Sequence, residues 1–457
     1  LKPFWLSAIF KIFNRTHAAI MQNYRLLCFL MLFLRSQQVC YDEHQCTSAE
    51  DDVALLQVAS LVSPGRKQRE EGLRDIAPQF AHMSSIEVAK RYDDALAKRY
   101  EMTEAAESTG ALCNDGSPGV YYLSEGSDDG ANKWIIFHDK GGWCESIEDC
   151  YNRSKTSKGS TKLDSDFMDL SFVGSLVRNP DENPLMYNWN HVLVRYCDGS
   201  SFTGNSDTTA KYNDTTLYFR GKRISEAVLK DLLEKRGLNK ASDVVISGGS
   251  AGGLNVYFKI DQWCDTLHSA NPVVKCVGLP DSGFFLDYQD PTVPCSPDIE
   301  HMQHDLNGNL HCALQQVHRI HNSTAGLNQD CIAAHPAEEW KCMFPEHFAE
   351  HIRTPIFAAQ SRYDDYQINY VQGNGGDAKT RELGENITSR IQSAILANNE
   401  SAVFLDSCRH HGGLYHTFQI DGDFKSDAIY TWYNGIGSAG AKKLWFQNAS
   451  YPCDTCC

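Results

Sequence analysis

The sequence predicts an α/β fold in which a mostly parallel central sheet is flanked by helices. Continuous apolar runs lie between glycine-rich turns, and runs without polar alternation are typical of strands buried on both faces of a parallel sheet. Helical patterns over residues 223–236 and 254–263 separate several of these runs, which favours strand–helix–strand units. The predicted strands cover residues 120–123, 134–137, 192–196, 244–246, 355–359 and 402–405.

We expect three regions along the chain of 457 residues. Residues 1–39 are an upstream segment and a signal peptide, because a basic residue, the apolar run 26–34 and a polar stretch follow Met21. Residues 1–20 are either upstream sequence that precedes the signal peptide or an extension that makes it an anchor. The apolar run 26–34 is shorter than the roughly 20 residues of a membrane-spanning helix, so no stable membrane span is expected. Residues 40–109 are a linker or pro-segment with a helix over 84–106, which either packs on the next region or forms a solvated stalk. Residues 110–457 form the α/β catalytic domain.

Charge and cysteine content narrow the class of protein. The formal net charge of −16 leaves no basic footprint for nucleic acid, so that class of partner is excluded. The 17 cysteines indicate the secretory pathway, where disulfides persist. Loss of Cys28 with the signal peptide leaves an even number, which suits full pairing, although the pairing itself cannot be deduced. Glycosylation triplets, which support secretion, begin at Asn152, Asn213, Asn322, Asn386, Asn399 and Asn448.

The sharpest chemical feature is the Gly-x-Ser-x-Gly pattern around Ser250. An apolar strand precedes it and a run of helix formers follows it. A nucleophilic serine on a tight strand-to-helix turn needs small neighbours, since larger side chains would collide with adjacent backbone. We therefore interpret Ser250 as a nucleophile rather than as part of an ordinary glycine-rich turn.

A serine nucleophile needs a base and a carboxylate that orients the base. In this type of fold the chain order is serine, acid, histidine. Asp364 and Asp365 follow one downstream apolar run, and His410 and His411 follow the next. The residues alone leave both pairs of neighbours open.

The oxyanion of such a reaction needs backbone N–H donors. One donor normally belongs to the residue after the nucleophile, here Ala251. A glycine-rich turn after an early strand supplies the others, and Gly141-Gly142-Trp143 follows the apolar run 134–137.

Other candidate sites have weaker support. The metal-binding types His301, His304, His311 and Cys312 fit no usual zinc spacing, and residues 305–309 lack the closing glutamate of a calcium loop. Cys144 and Cys150 are interpreted as disulfide-bonded, not as thiol nucleophiles. We expect neither a metal nor another cofactor.

Several longer sequence blocks extend beyond these single motifs. They are Gly-Gly-Trp-Cys at 141–144, Tyr-Asn-Trp-Asn at 187–190, the run 194–204, Leu-Tyr-Phe-Arg-Gly at 217–221, Gly-Gly-Ser-Ala-Gly-Gly at 248–253, the run 281–287, Tyr-Asp-Asp-Tyr-Gln at 363–367 and Tyr-Pro-Cys at 451–453. Together these blocks resemble the pectin acetylesterase / Notum family, and the plant-type pectin acetylesterases more closely. The likeness covers about residues 110–457.

The resemblance implies a secreted α/β-hydrolase that cleaves carboxylic esters without a metal. Its Tyr-Asp-x-x-Gln block selects Asp364 over Asp365, and its Ser-Cys-x-x-His block selects His411 over His410. The implied catalytic residues are Ser250, Asp364 and His411, with Gly142, Trp143 and Ala251 as oxyanion donors.

The chain departs from the family pattern at two places. Asp139-Lys140 stand where a third glycine or an acidic-Gly pair is usual, and Gly412-Gly413 stand where plant members have Cys-Gln. The implied function is removal of acetyl groups from an extracellular or cell-wall polysaccharide such as pectin. The alternatives are a palmitoleoyl-type protein deacylase and a catalytically silent secreted binding protein.

Overall fold

A computed structural model describes residues 96–289, 294, 295, 298, 300, 309–372, 376–453 and 455–457. The predicted signal peptide lies outside these residues, as does the predicted linker up to residue 95. None of the described helices is long and apolar enough to cross a membrane.

A sheet of ten strands organises the described part of the chain. The strands are β1 (Leu96–Glu101), β2 (Val120–Ser124), β3 (Lys133–His138), β4 (Phe167–Asp169), β5 (Asn190–Val194), β6 (Ala210–Tyr212), β7 (Thr215–Leu217), β8 (Asp243–Gly249), β9 (Lys275–Asp281), β10 (Phe357–Asp364), β11 (Ala402–His410), β12 (Gln419–Ile420), β13 (Asp423–Phe424) and β14 (Leu444–Phe446). The sheet order is β14-β11-β10-β9-β8-β3-β5-β2-β1-β4, while β6–β7 and β12–β13 form separate pairs. Strands β14 through β5 pair in parallel, and β2, β1 and β4 continue the sheet by antiparallel pairing.

Helices cover both faces of this sheet. They are α1 (Thr103–Ser108), α2 (Ile147–Arg153), α3 (Gly221–Lys235), α4 (Ala251–Ala270), α5 (Leu310–His321), α6 (Gln329–Ala334), α7 (Asp365–Gln372), α8 (Gly376–Ile395) and α9 (Lys425–Gly435). Trp134 and Ile136 of β3 belong to the core that contains α3, α4 and α8. Ile135 and Phe137 point the other way, into the core that contains α9. The predicted fold class is confirmed.

The prediction of a helix over residues 84–106 is wrong for residues 96–101, the first residues of that range that the structure describes. Leu96–Glu101 is a strand, and α1 begins only at Thr103. Strand β1 lies between β2 and β4, and the Tyr100 ring stacks on Tyr121 of β2 with centroids 5.1 Å apart. Pairing with strands that are distant in sequence has overridden the local helix propensity. The sheet therefore begins before residue 110, where the sequence places the start of the catalytic domain.

Every cysteine in the described residues is in a disulfide, whereas Cys28, Cys40 and Cys46 lie outside them. The pairs are Cys113–Cys197, Cys144–Cys150, Cys264–Cys276, Cys295–Cys312, Cys331–Cys342, Cys408–Cys457 and Cys453–Cys456.

Candidate active site

Ser250 occupies the tight turn between β8 and α4. Its backbone has φ 54° and ψ −121°, a conformation that is rare for a residue with a side chain. A Cβ atom on Gly248 would lie 2.3 Å from the carbonyl oxygen of Gly252, and one on Gly252 would lie 2.1 Å from that of His138. Only glycine fits at either position, which is the physical reason for the Gly-x-Ser-x-Gly pattern.

The structure joins Ser250, His411 and Asp364 in one line of hydrogen bonds. His411 Nε2 lies 2.7 Å from Ser250 Oγ, and His411 Nδ1 lies 2.9 Å from Asp364 Oδ2. Asp364 ends β10, and His411 directly follows β11, which pairs with β10 in parallel. Because parallel strands end at the same edge of a sheet, residues from three strands meet there.

The carboxylate of Asp364 is fully buried and held by two donors. Gln360 Nε2 donates to Oδ2 at 2.9 Å, and the backbone N–H of Gln367 donates to Oδ1 at the same distance. A buried carboxylate without such partners would be strongly destabilising. Gln360 was missed by the sequence analysis; only its register in β10, four residues before the acid, could have indicated it.

The neighbouring candidates point elsewhere. His410 Nε2 lies 3.0 and 3.1 Å from the two carboxylate oxygens of Asp406. Asp365 forms a partly exposed ion pair with Arg409 at 2.6 Å. Within the described residues, the line to Ser250 therefore contains Asp364 and His411 rather than Asp365 and His410.

The protonation of His411 is set by opposing effects. Burial disfavours the imidazolium, but the charge and hydrogen bond of Asp364, with a smaller contribution from Asp281, outweigh burial and raise the pKa of His411 above its ordinary value. Lys140 acts in the opposite direction. In the neutral state, a proton on Nδ1 donates to Asp364 and leaves Nε2 free to accept the Ser250 proton.

Side chains from other elements fix the direction of the Gly141–Trp143 backbone. Gly141 O accepts from Arg153 Nη1 at 2.7 Å, and Gly142 O accepts from the Tyr196 hydroxyl at 2.5 Å. In a trans peptide the N–H of the next residue points opposite to the carbonyl. The N–H groups of Gly142 and Trp143 are therefore directed away from Arg153 and Tyr196. Ala251 N–H is in the first turn of α4, where N–H groups have no partner within the helix.

Aromatic rings pack beside the histidine. Tyr366 lies 5.2 Å from the His411 ring, and Phe285 lies 4.9 Å from Trp143, between ring centroids. Phe285 is fully buried and lies 6.1 Å from His411. Neither Phe285 nor Tyr366 was singled out by the sequence analysis, because their contacts join segments that are far apart in the chain.

Comparison with known proteins identifies the family. The family model described as Pectinacetylesterase matches residues 93–457. The chain belongs to the pectin acetylesterase family. Pectin acetylesterase 5 of Arabidopsis thaliana is 31% identical over 387 residues, covering 79% of this chain and 84% of the relative. Pectin acetylesterase 11 of the same plant is 34% identical over 340 residues, covering 70% and 81%.

More distant relatives belong to the Notum branch. Human palmitoleoyl-protein carboxylesterase NOTUM is 26% identical over 337 residues, covering 71% of this chain and 64% of that protein. The crystal structure of the Wnt deacylase Notum from Drosophila has a TM-score of 0.65 and 25% identity, covering 79% of this chain and 99% of that one. This pectin acetylesterase family member is therefore a carboxylic ester hydrolase.

One group of metal-binding residue types lies within ligand distance in the described part of this family member: Cys144, Cys150 and His321. The two cysteines form a disulfide, as predicted, so neither sulfur is a thiolate ligand. Cys312 is bonded to Cys295, and His311 contacts Asp287 at 2.6 Å. His301 and His304 lie outside the described residues, as do residues 305–308.

Proposed function

We propose that the chain is a secreted serine carboxylesterase that removes acetyl groups from an extracellular polysaccharide such as pectin. The observation that carries the proposal is the line from Asp364 through His411 to Ser250, with distances of 2.9 and 2.7 Å. The similarity to Arabidopsis proteins named pectin acetylesterases supports the acetyl group and the polysaccharide. The disulfides throughout the described residues support secretion.

The reaction begins when Ser250 Oγ attacks the ester carbonyl carbon and His411 Nε2 takes the hydroxyl proton. Asp364 holds the imidazole and stabilises the imidazolium. The N–H groups of Gly142, Trp143 and Ala251 stabilise the oxyanion. Collapse of this intermediate passes the proton from His411 to the leaving alcohol and forms the acyl-enzyme. Water, activated by His411, then releases the carboxylic acid and restores Ser250.

A short acyl group suits the surroundings of His411. The rings of Trp143, Phe285 and Tyr366 contact one another beside the imidazole, and Phe285 and Trp143 are buried. These rings offer an apolar surface that the methyl group of an acetyl ester can contact, which is compatible with the proposed substrate. The second candidate is a fatty-acyl protein deacylase, favoured by the similarity to the Drosophila Wnt deacylase Notum over 99% of that chain.

The deciding experiment is hydrolysis of p-nitrophenyl esters, from acetyl to octanoyl, by the purified secreted protein and by Ser250→Ala. Ser225→Ala is the matched control, because the buried Ser225 hydroxyl has no partner in the described residues. We expect the fastest rate with acetyl, loss of activity in Ser250→Ala and no change in Ser225→Ala. Acetate release from acetylated pectin then tests whether a polysaccharide is the alcohol part of the ester substrate.

Other results would lead to other conclusions. A preference for octanoyl would favour the fatty-acyl deacylase. Equal, near-blank rates for the parent protein and Ser250→Ala would favour a silent binding protein.

A further inference from the structure

The loop that carries His411 continues into two glycines with unusual backbone. Gly412 and Gly413 have φ values of 76° and 74°. A Cβ atom at Gly413 would have no neighbour within 4 Å, so packing does not confine this position. Glycine pairs have more conformational freedom than any other dipeptide. Some other interaction must therefore hold the backbone next to His411.

Two buried charges hold Gly413 from opposite sides. Its N–H donates to Asp281 Oδ2 at 3.0 Å, and its carbonyl oxygen accepts from Lys425 Nζ at 2.5 Å. Lys425 Nζ also lies 3.6 Å from Asp281 Oδ1, and the two side chains are only 1% and 5% exposed. Both backbone groups of Gly413 are thus bonded to one buried ion pair.

Asp281 also contacts the nucleophile through its backbone. It ends β9, and its carbonyl oxygen accepts the Ser250 N–H at 2.9 Å. One residue therefore holds the turn that carries Ser250 and, through its side chain, the loop that carries His411. The 2.7 Å distance between Ser250 Oγ and His411 Nε2 depends on the relative placement of these two segments.

We propose that Asp281 and Lys425 are a positioning pair that keeps His411 within hydrogen-bonding distance of Ser250. The hydrogen bonds of the two side chains described above are to the Gly413 backbone, whereas the His411 ring is bonded to Asp364 and Ser250, and the inference rests on the esterase reaction proposed above. A buried ion pair is poor evidence for a stabilising role, since an apolar replacement is often neutral or stabilising. Its bonds to both groups of Gly413 instead indicate a role in geometry.

The charges around His411 determine what each variant does to the pH profile. Asp364 from β10, Asp281 from β9 and Lys140 after β3 act on the imidazole, and Lys425 of α9 offsets Asp281. Asp281→Asn removes a negative charge, so the pKa of His411 falls and activity extends to lower pH. Lys425→Met removes the offsetting positive charge, so the pKa of His411 rises and the acidic limb of the activity profile moves to higher pH. A role confined to overall stability would leave the pH profile unchanged, whereas kcat measured above the acidic limb reports the placement of His411.

The experiment measures kcat and KM for p-nitrophenyl acetate across the pH range, per active site titrated with a fluorophosphonate. For Lys425→Met we expect kcat to fall by about 10- to 100-fold with little change in KM, because misplacement of a catalytic group by about 1 Å has an effect of this size. Asp281→Asn should lose less, since the amide oxygen still accepts from Gly413. Lys259→Met is the control, because Lys259 is also buried and lies roughly 13 Å along α4 from Ser250.

The two hypotheses fail in different ways. If the parent protein hydrolyses the ester but Lys425→Met and Asp281→Asn keep its kcat and pH profile, the positioning role is wrong and the esterase function stands. If the parent protein is as inactive as Ser250→Ala, both hypotheses are wrong. Should Lys425→Met not fold, the kcat and pH profile of Asp281→Asn decide the question.

Discussion

The hydroxyl of Tyr196 donates a 2.5 Å hydrogen bond to the carbonyl oxygen of Gly142. The same hydroxyl oxygen accepts the Ser201 N–H at 2.9 Å, so the side chain is fixed from both sides. Arg153 donates to the flanking carbonyls of Gly141 and Trp143. The direction of the Gly142 and Trp143 N–H groups is therefore set before any ester binds, which is what electrostatic preorganisation requires.

Tyr196→Phe should weaken the oxyanion site without removing any donor from it. The Gly142 carbonyl loses its partner, and the peptide that carries the Trp143 N–H gains freedom to rotate. Loss of a whole oxyanion donor lowers kcat by about 100- to 1,000-fold, so we expect an indirect effect nearer about tenfold. The measurement is kcat for p-nitrophenyl acetate, with KM nearly unchanged.

Tyr121→Phe is the matched control for that variant. Tyr121 is equally buried, and its hydroxyl donates to Asp231 Oδ2 at 2.6 Å rather than to the Gly141–Trp143 backbone. Both substitutions should lower thermal stability, whereas only Tyr196→Phe should lower kcat. Equal kcat values for the two variants would contradict the assigned role of Tyr196.

The neighbours Asp364 and Asp365 allow a test of which carboxylate orients His411. Asp364→Asn should lower kcat by about 10⁴-fold, because an amide can stabilise the wrong histidine tautomer and cannot balance the imidazolium. Asp365→Asn removes only a partly exposed ion pair with Arg409 and should keep kcat within about twofold. Steady-state kinetics on both variants checks this prediction. A large loss of kcat in Asp365→Asn alone would assign the acid to Asp365 instead.

Protonation of His411 should set the acidic limb of the pH profile. The imidazole acts as a base only when neutral, so kcat/KM falls as pH drops through the pKa of His411. Asp364 raises that pKa, so the limb should lie above the ordinary value of about 6.5. The profile of kcat/KM for a neutral ester measures it, and a limb well below the ordinary histidine value would contradict the assignment.

The limits of sequence reasoning are clearest at β1 and at the hydrogen-bonded line of Ser250, His411 and Asp364. Ser250 was predicted from local residues because its constraint is local: glycines beside a strained turn. Chain order narrowed the acid to Asp364 or Asp365 and the base to His410 or His411. The choice within each pair depends on how β10 and β11 end, which local residues do not determine. The family resemblance supplied that choice. Strand β1 was missed because its partners are distant in sequence.

Contacts between segments far apart in the chain were equally beyond the sequence. Asp281 lay in a block that resembled the family, but nothing in that block indicated that its carboxylate contacts Gly413. Lys425 opens α9 and looks like an ordinary exposed helix residue, whereas its side chain is almost fully buried. Only the assembled sheet edge brings the two residues together.

Lys140 should favour anionic substrates. It is exposed, and its backbone is fixed by Asp139 Oδ1, which accepts the Lys140 N–H at 2.8 Å, and by Lys158 Nζ, which donates to the Lys140 carbonyl oxygen at 2.5 Å. Its positive charge acts to lower the pKa of His411, so Lys140 influences the imidazole that the proposed reaction uses. A uronate carboxylate beside the acetyl ester would be attracted to it.

Lys140→Gln should therefore lower kcat/KM for acetylated polygalacturonate by about twofold to fivefold, as expected for one exposed charge pair. The effect of the substitution should be smaller at high salt, because salt screens exposed charges. Neutral p-nitrophenyl acetate, assayed well above the acidic limb, should react at the parental rate. Lys240→Gln is the control, because the exposed Lys240 precedes β8 and so lies at the opposite edge of the sheet from Ser250. An equal loss on the neutral ester would show that Lys140 acts on the reaction itself rather than on substrate charge.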